Sequence, residues 1–315
     1  MDVVAIGELL IDFTFRSADA EGYPTMEAHP GGAPANFLAA LNQYGYKTAM
    51  LGKVGNDTFG KLLLGTLEKA GIETRGMIVS DDVFTTLAFV TLDEQGDREF
   101  SFARKPGADN QIAFDEINLS LVDEAKVLHF GTLSLTNEPA RTATYRLVEY
   151  AKNHGKLLTY DPNLRKPLWK TMGEAKEQML WGLQYADVVK ISDEEVEFLF
   201  GLDPRSGAAY ILENYPVKLV FVTCGANGCV FQNKTCSGHV PGLSGISVVD
   251  TTGAGDIFGG SAVSQILKYE KTPEDLNADE LGKIVRFACT AAGLSTTNAG
   301  GISSVPTLEA VLERM

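Results

Sequence analysis

The chain has 315 residues, of which 44% are hydrophobic and 22% are charged, a composition typical of a globular protein with ample core. Lys and Arg number 27 against 41 Asp and Glu, which gives a formal net charge of −14 at pH 7. Nucleic acids and anionic membranes both select clustered positive charge, so this balance argues against either as a partner. Because the chain is negatively charged overall, any phosphate ligand has to be bound by the local arrangement of groups at its site.

Apolar segments typical of buried strands alternate with amphipathic segments typical of helices along most of the chain. Helices are predicted over residues 34–44, after Asp57 up to residue 70, and over 139–154, each followed by Gly. Continuously apolar strands separated by helices predict a parallel sheet that is covered on both faces. The predicted strands are VVAIGE (3–8), KTAMLGKV (47–54), KVLHFGTLS (126–134), KLLTYD (156–161), DVVKIS (187–192) and KLVFVTC (218–224).

Two segments, 13–30 and 84–104, contain strand patterns without intervening helices. The second alternates polar and apolar residues around a turn predicted at Gln95-Gly96-Asp97. A small sheet inserted beside the main sheet is suited to cover a cleft, so both segments are predicted to form a lid on a single domain of residues 1–315. The alternative is an edge hairpin of the main sheet.

The N-terminal segment MDVVAIGELLIDF lacks a positive region and carries Glu8 and Asp12, so it is not expected to be a signal peptide. No apolar stretch reaches the roughly 18 residues that predict a membrane span. The cysteines form no CxxC pair and are expected to be free, mostly buried thiols, which fits a cytoplasmic protein. They are Cys224, Cys229, Cys236 and Cys289.

The segment GNDTFGKL (55–62) matches the first part of a phosphate-binding P-loop but fails at its end. Leu62 stands where the P-loop needs Ser or Thr to bind Mg²⁺. Asp57 is instead predicted to cap a helix, with Lys61 on its solvated face. The first strand is also not followed by the GxGxxG of a dinucleotide site.

Residues 250–260, DTTGAGDIFGG, separate an apolar segment from one with helical spacing. Gly253, Ala254 and Gly255 are therefore predicted to open a helix, where free backbone N–H groups and the helix dipole favour an anion. Asp256 lies in the first turn, directly beside that anion hole. By itself the segment is equally consistent with a catalytic carboxylate and with an ordinary helix-dipole carboxylate.

A second glycine cluster opens another predicted helix at GGAPANFLAALNQYG (31–45). Its glycines allow the backbone to approach a ligand closely, and Asn36 offers both a donor and an acceptor to a polyol. Asp12, after the first strand, is suited to accept hydrogen bonds from adjacent hydroxyls, although a surface Asp is equally consistent with the pattern. His29 lies beside the glycines, and the sequence does not decide whether it borders the same site.

GGAPAN and DTTGAGDIFGG resemble the two signatures of ribokinase-like (PfkB) sugar kinases, and the similarity covers nearly the whole chain. GKVGNDTFGKLL, TLAFVTL, REFSFARKPGAD, YDPNLRKPLW and KISDEEVEFLFG further resemble the fructokinases of that family. The resemblance implies a three-layer α/β sandwich with a central, mainly parallel sheet and a small β-sheet lid. It implies transfer of the γ-phosphoryl group of ATP to the 6-hydroxyl of D-fructose, with subunits that can pair through the lid.

The resemblance also assigns roles to individual residues. Asp256 is the implied general base beside the anion hole of Gly253, Ala254 and Gly255. ATP is expected near the strand-end residues Asp161 and Asn163. The implied sugar-binding residues are Asp12, Gly32, Asn36, Arg104 and Asp256, with Arg104 moving inward on lid closure. The implied ATP-binding residues are Lys190, Arg165, Thr223, Gly225 and Gly228.

Two cation sites are implied as well. Glu195 matches the glutamate of the family's NxxE motif, which is associated with Mg²⁺ and its waters. The motif reads SDEE here, so Ser192 replaces the asparagine and Glu194 is the alternative to Glu195. Asp250, Thr252, Gly300 and Ser304 resemble a loop that holds K⁺.

Three alternatives to these assignments stay open at the sequence level. Another sugar kinase of the family, for 2-keto-3-deoxygluconate or a nucleoside, is the nearest rival function. A non-catalytic, sugar-binding regulatory relative is the rival of another class. Arg104 is alternatively a surface residue, and His129, on an apolar strand, is expected to be a satisfied core residue rather than a ligand.

Overall fold

The computed structural model describes residues 1–92 and 98–315. Its strands are β1 Val3–Ile6, β2 Leu10–Ala18, β3 Pro24–Gly31, β4 Thr48–Gly55, β5 Met77–Ser80, β6 Leu87–Leu92, β7 Arg98–Ala103, β8 Val127–Gly131, β9 Leu157–Asp161, β10 Val188–Ser192, β11 Leu219–Thr223, β12 Cys229–Asn233 and β13 Ser237–Val240. Its α-helices are α1 Ala33–Gln43, α2 Thr58–Lys69, α3 Leu119–Glu124, α4 Ala140–Asn153, α5 Met172–Leu183, α6 Asp193–Phe200, α7 Pro204–Asn214, α8 Ala254–Ile266, α9 Ala278–Ser295 and α10 Leu308–Arg314.

Nine strands form the main sheet in the order β13-β12-β11-β10-β9-β8-β1-β4-β5. The pairs from β11 to β5 are parallel, and β12 and β13 add an antiparallel edge. All six strands predicted from the sequence are present, although the one predicted over 126–134 ends at Gly131. The short strands β5, β12 and β13, which lie at or next to an edge of the sheet, were not predicted, because their four or five residues lack the continuous apolar pattern of a central strand.

The two faces of the sheet bury different side chains of the same strands. Along β1, Val4 and Ile6 belong to an apolar cluster with residues of α3 to α7. Val3 and Ala5 point to the other face and pack with residues of α1, α2 and α8. This alternation sandwiches the sheet between two helical layers, as predicted.

The lid is a separate four-stranded sheet in the order β3-β2-β6-β7. β2 pairs antiparallel with β3 and parallel with β6, and β6 pairs antiparallel with β7. The prediction of a second sheet is confirmed, and the alternative edge hairpin of the main sheet is wrong. The lid begins at Leu10 rather than residue 13, and the turn predicted at residues 95–97 lies outside the described residues.

Several local predictions are also confirmed. Asp57 caps α2, with its Oδ1 accepting hydrogen bonds from the amides of Phe59 at 2.9 Å and Gly60 at 2.8 Å. The four cysteines are free; Cys229 and Cys289 are buried, whereas Cys224 and Cys236 are only partly so. Among the helices of residues 1–92 and 98–315, none has the length and apolarity needed to cross a bilayer.

Candidate active site

A cavity of about 300 Å³ opens between the lid and the carboxyl ends of the main sheet, where open α/β sheets bind ligands. The lid, both glycine clusters and the 249–256 segment contribute to its wall. Among the residues named from the sequence, those that line it are Asp12, His29, Gly32, Asn36, Asn163, Arg165, Lys190, Asp250, Thr252, Gly253, Gly255, Asp256 and Gly300. Residues that are far apart in the sequence therefore surround one space.

Helix α8 begins at this cavity because Gly253 adopts a left-handed conformation, with φ of 74°. A Cβ at Gly253 would come within 2.9 Å of the Asn36 Nδ2 atom and 3.0 Å of the Gly301 Cα atom. A Cβ at Gly255 would lie 2.8 Å from the Lys190 Nζ atom. The glycines thus bring the open N-terminus of α8 against a lysine, as an anion hole requires.

Asp256 is joined to the other glycine cluster by a hydrogen bond. The Asn36 Nδ2 atom donates to the Asp256 Oδ2 atom at 2.9 Å. Burial raises the pKa of Asp256, while Lys190 and the Asn36 hydrogen bond oppose that rise. Asn36 is itself 3% exposed, and its Oδ1 atom has no hydrogen-bond partner among the described residues. Asn36 therefore fixes the orientation of a carboxylate with increased basicity.

Lys190 supplies the positive charge at the centre of this site. Its Nζ atom lies 3.0 Å from Asp161 Oδ2 at the end of β9. Burial lowers the pKa of Lys190, but the carboxylates of Asp161, Glu195 and Asp256 outweigh that effect and hold the pKa above its ordinary value. For Asp161, burial raises the pKa to about 6, and the positive charge of Lys190 opposes that rise. We conclude that Lys190 stays charged between carboxylates.

Asp12 and His29 face each other across β2 and β3 of the lid. A Cβ at Gly31 would come 2.2 Å from the Asp12 Oδ2 atom, so the glycine before α1 makes room for this carboxylate. The His29 Nε2 atom lies 3.3 Å from the Arg16 guanidinium and 3.4 Å from the Glu27 carboxylate. The lid thus presents ionisable side chains to the cavity.

These features match a known family. A model of the pfkB family carbohydrate kinases matches residues 1–308. The chain belongs to the pfkB family of carbohydrate kinases.

Relatives and solved structures similar to this carbohydrate kinase cover nearly its whole length. "Probable fructokinase-3" of Arabidopsis thaliana is 41% identical over 310 residues, covering 97% of this chain and 88% of the relative. "Fructokinase-2" of Solanum lycopersicum is 41% identical over 315 residues, covering 98% and 94%. A crystal structure of a Xylella fastidiosa fructokinase with bound ATP matches with a TM-score of 0.90 at 28% identity, covering 99% of this chain and 97% of that chain. A Vibrio cholerae O395 fructokinase in its fructose, ADP and calcium ion bound form matches with a TM-score of 0.88 at 29% identity, covering 100% and 99%.

In this pfkB kinase Arg104 directly follows the lid strand β7, and its inward movement on lid closure stays a prediction. It is 6% exposed, so the alternative of a surface arginine is wrong. Its Nε atom donates to Asp109 Oδ2 at 2.8 Å, and its terminal nitrogens donate to Thr136 Oγ1 at 2.7 Å and the Leu133 carbonyl at 3.0 Å. With these buried partners, Arg104 is not among the residues lining the cavity, and its contact with sugar stays a prediction.

Glu195 lies beside the cavity but binds backbone amides. Its Oε1 atom accepts from the Leu164 amide at 2.7 Å, and its Oε2 atom accepts from the Ser192 amide at 2.8 Å. The Ser192 hydroxyl in turn accepts from the Glu195 amide, which completes a capping box at the start of α6. Ser192, in the place of the family asparagine, thus has a local role, and Glu194 is exposed on the same turn.

The other predicted ATP residues follow β11, the strand next to β10. Thr223 pairs with Ser192 across these strands. Gly225 and Gly228 have φ of 54° and 89°, and the Cys224 amide donates to the Gly228 carbonyl at 2.8 Å to close the loop. They are not among the lining residues around Asp256. Thr223, Gly225 and Gly228 thus lie at the carboxyl end of the strand next to β10, one strand further along the edge of the sheet that borders the cavity.

The predicted K⁺ loop folds around Asp250. The Asp250 Oδ1 atom accepts from the Thr252 amide at 2.9 Å and hydroxyl at 2.7 Å, and its Oδ2 atom accepts from the Gly300 amide at 3.0 Å. Ser304 is buried, and its hydroxyl donates to the Gly301 carbonyl at 2.8 Å. The Gly300 amide therefore joins the 250–252 segment to the segment that contains Ser304, and K⁺ binding there stays a prediction.

His129 lies outside the site, whereas Glu8 belongs to it. His129 is a satisfied core residue, as expected: its ring stacks on Phe37 at 3.7 Å, its Nδ1 atom lies 3.0 Å from Thr159 Oγ1, and burial lowers its pKa to about 3. Glu8 was not assigned to the site from the sequence, yet it lines the cavity at 5% exposure. The available signal was a charged residue within an otherwise apolar segment.

Proposed function

We propose that this carbohydrate kinase is an ATP-dependent fructokinase that transfers the γ-phosphoryl group to the 6-hydroxyl of D-fructose. One observation carries the chemistry: Asp256 is fixed by Asn36 beside the open N-terminus of α8, with Lys190 against the same turn. The choice of fructose is supported by relatives named fructokinase at 41% identity and by the similar Vibrio cholerae structure with bound fructose.

Asp256 acts as the general base. An acceptor hydroxyl between its carboxylate and the start of α8 gives its proton to Asp256 while its oxygen forms the new bond to phosphorus, and the bond to the ADP oxygen breaks. The amides of residues 253–255 stabilise the charge on the phosphoryl oxygens in transit. The acceptor hydroxyl lies between the Asp256 carboxylate and the phosphoryl group in the anion hole. The carboxylate can therefore stand beside the anion hole without meeting the phosphoryl charge directly.

The nucleotide side of the reaction depends on local positive charge in a chain of net charge −14. Lys190 and Arg165 both line the cavity, and Arg165 lowers the pKa of Asp256 after the larger effects of burial, Lys190 and Asn36. We assign both to the phosphates, with Thr223, Gly225 and Gly228 forming the nucleotide loop further along the edge. Nucleotide binding across β10 and β11 follows from that placement.

Mg²⁺ fits this site as an ion carried by ATP. Among the described residues no group of three or more His, Cys, Asp and Glu side chains is arranged to hold a metal ion. Both carboxylate oxygens of Glu195 already accept backbone hydrogen bonds, so Glu195 fits a role toward the waters of the ion rather than direct coordination. When bound, Mg²⁺ neutralises phosphate charge. For K⁺, the adjacent segments at Asp250, Thr252, Gly300 and Ser304 are the proposed site, which steadies the start of α8.

The sugar is held from the lid side. Asp12 accepts hydrogen bonds from adjacent hydroxyls, Gly32 gives close backbone approach, and Asn36 and Asp256 meet the reacting hydroxyl. Arg104 contributes if closure rearranges its present contacts. The cytoplasm is the proposed location, and a homodimer through the lid is supported by Phe15 and Tyr23, which are 38% and 71% exposed on that sheet and its loop.

The test is ADP release, measured with a coupled assay over fructose, other hexoses, 2-keto-3-deoxygluconate and nucleosides. We expect the highest kcat/KM with fructose and a product phosphorylated at the 6-position, identified by NMR. A higher kcat/KM for another acceptor would reassign the substrate within the family. ATP hydrolysis or transfer to none of them, by folded protein, would favour the non-catalytic alternative.

A further inference from the structure

Glu8 lies in the short connection between β1 and the lid strand β2, and it lines the same cavity as Asp12 and Asp256. Its Oε1 atom accepts a hydrogen bond from the Ala33 amide, the first residue of α1, at 2.9 Å. Helix α1 has no side-chain cap of its own, because Gly32 occupies the cap position with φ of 127°. Glu8 thus caps α1 from a distant part of the chain.

The backbone around Glu8 and the GGAPAN segment interlock closely. A Cβ at Gly32 would lie 2.4 Å from the Glu8 carbonyl oxygen, and a Cβ at Gly7 would lie 2.7 Å from Pro34 Cγ. The position of Glu8 relative to the start of α1 is therefore rigidly set. A side chain held in this way is preorganised for a ligand in the cavity.

The capping of α1 requires neither the negative charge of Glu8 nor its second carboxyl oxygen. A helix amide needs one acceptor oxygen, which a neutral glutamine would provide equally well. Burial raises the pKa of Glu8 to about 7, its own backbone amide and the Ala33 amide oppose that rise, Asp109 adds to it and Arg104 opposes it. No side chain in the described part of the chain donates a hydrogen bond to the Glu8 carboxyl group. Its donors are backbone amides, and a carboxyl group that lines a cavity has further lone pairs with which to accept a hydrogen bond from a ligand.

We propose that Glu8 is a specificity-determining residue, whose second carboxyl oxygen accepts a hydrogen bond from a non-reacting hydroxyl of the acceptor sugar. This inference rests on the proposed function, since it assumes a polyhydroxylated acceptor in this cavity. Asp12 contacts the sugar from the lid, whereas Glu8 contacts it from the edge of the main sheet, where it is fixed to α1. A sugar lacking the matching hydroxyl loses this hydrogen bond and is used less efficiently.

The experiment compares kcat/KM for fructose with that for analogues that each lack one non-reacting hydroxyl: 1-deoxyfructose, 3-deoxyfructose, 4-deoxyfructose and 2,5-anhydromannitol. The enzymes are the wild type, Glu8→Ala and Glu8→Gln. For one analogue the wild type should discriminate by about tenfold or more, as for a hydrogen bond to a charged group. That ratio should approach one in Glu8→Ala, while the ratios for the other analogues stay unchanged.

Glu8→Gln separates sugar recognition from capping, because its amide oxygen can still accept from Ala33. At pH 5, where the Glu8 carboxyl group is mostly protonated in the folded protein, its melting temperature should stay near that of the wild type. The affected ratio should fall at least about threefold as the bond becomes neutral. Asp57→Ala is the matched control: Asp57 caps α2 and does not line the cavity, so its removal should lower the melting temperature without changing any ratio.

The outcomes distinguish the two proposals. If fructose is a good substrate and every analogue ratio in Glu8→Ala and Glu8→Gln equals that of the wild type, Glu8 is only a helix cap and the inference is overturned. If Glu8→Ala does not fold, unchanged ratios in Glu8→Gln alone overturn it. If the folded wild type phosphorylates no sugar, the proposed function fails, and the inference fails with it.

Discussion

Asp256 is a base whose strength reflects opposing neighbours. Burial raises its pKa, whereas Lys190 and the Asn36 hydrogen bond oppose that rise. A carboxylate with a raised pKa accepts a proton more readily than a solvated one. The residue-scale predictions follow from this balance and from the placement of Asp12.

Asp256→Asn preserves size and the contact with Asn36 but cannot accept the proton. We expect kcat to fall by about 10²–10⁴-fold, with the KM for ATP little changed because the amides of residues 253–255 are intact. Steady-state kinetics on folded variant measure both. More than about a tenth of wild-type kcat would show that Asp256 is not the base.

Asn36→Leu removes a hydrogen bond that lowers the pKa of Asp256. Without it that pKa rises, so the base is protonated, and inactive, up to a higher pH. We expect the acidic limb of the pH profile of kcat to move to higher pH, whereas the limb should be lost in Asp256→Asn. An unmoved limb in Asn36→Leu would separate Asn36 from the titration of Asp256.

Asp12→Ala removes a cavity carboxylate that is expected to bind adjacent sugar hydroxyls. Since such charge-assisted bonds contribute about 1.5–3 kcal/mol, kcat/KM for sugar should fall at least about tenfold while the KM for ATP stays constant. Unchanged sugar kinetics would place the sugar elsewhere in the cavity. Glu27→Ala, on the same sheet but outside the cavity wall, is a suitable control.

At the scale of elements, the site is assembled from two helix starts and a small sheet. α1 and α8 both begin at glycines of positive φ, and the Asn36–Asp256 hydrogen bond joins their first turns. The lid packs on the main body through Phe13, whose ring meets Phe59 of α2 edge-on at 5.5 Å. The lid therefore has a fixed base beside α2, while its cavity side carries Asp12 and His29.

We expect the lid to close over bound sugar. Backbone hydrogen exchange of segments 13–30 and 84–104 should slow on addition of saturating fructose, because ordered strands over a ligand open less often. Exchange in α4, which lies on the far face of the sheet, is the internal reference. Equal exchange with and without sugar would indicate a static sheet instead of a lid.

At the scale of the whole molecule, the cavity wall affects folding stability. The pKa of Glu8 is about 7 in the folded protein, against 4.5 as its ordinary value, and the charged groups facing it are Arg104 and Asp109. The folded state therefore binds a proton that the unfolded chain has released between these two values. This contribution to stability is complete below pH 4.5 and is lost as the pH rises through 7.

Glu8→Gln should abolish that dependence. From pH 5 to pH 8 the melting temperature of the wild type should fall relative to that of Glu8→Gln, by an amount corresponding to at most about 3 kcal/mol. Thermal unfolding of both proteins over this range measures the difference. A constant difference would mean that Glu8 titrates normally in the folded protein.

The sequence by itself determined the layered α/β architecture, because strand and helix periodicities depend only on which side chains are apolar. It also located both glycine clusters, the lid segments and Asp256, since glycine-dependent helix starts are local backbone features. The resemblance to sugar kinases then indicated the chemistry, and the family match agrees with it.

Only the tertiary structure decided which side chains meet. Pairing of Asn36 with Asp256, of Lys190 with Asp161 and of Arg104 with Asp109 depends on distances between elements that no local pattern encodes. Glu8 shows the same limit: it looks like a misplaced charge in an apolar segment until the fold brings α1 to it. Side chains acquire their partners and their shifted pKa values only when the chain has packed. The sequence could therefore name these residues but not their contacts.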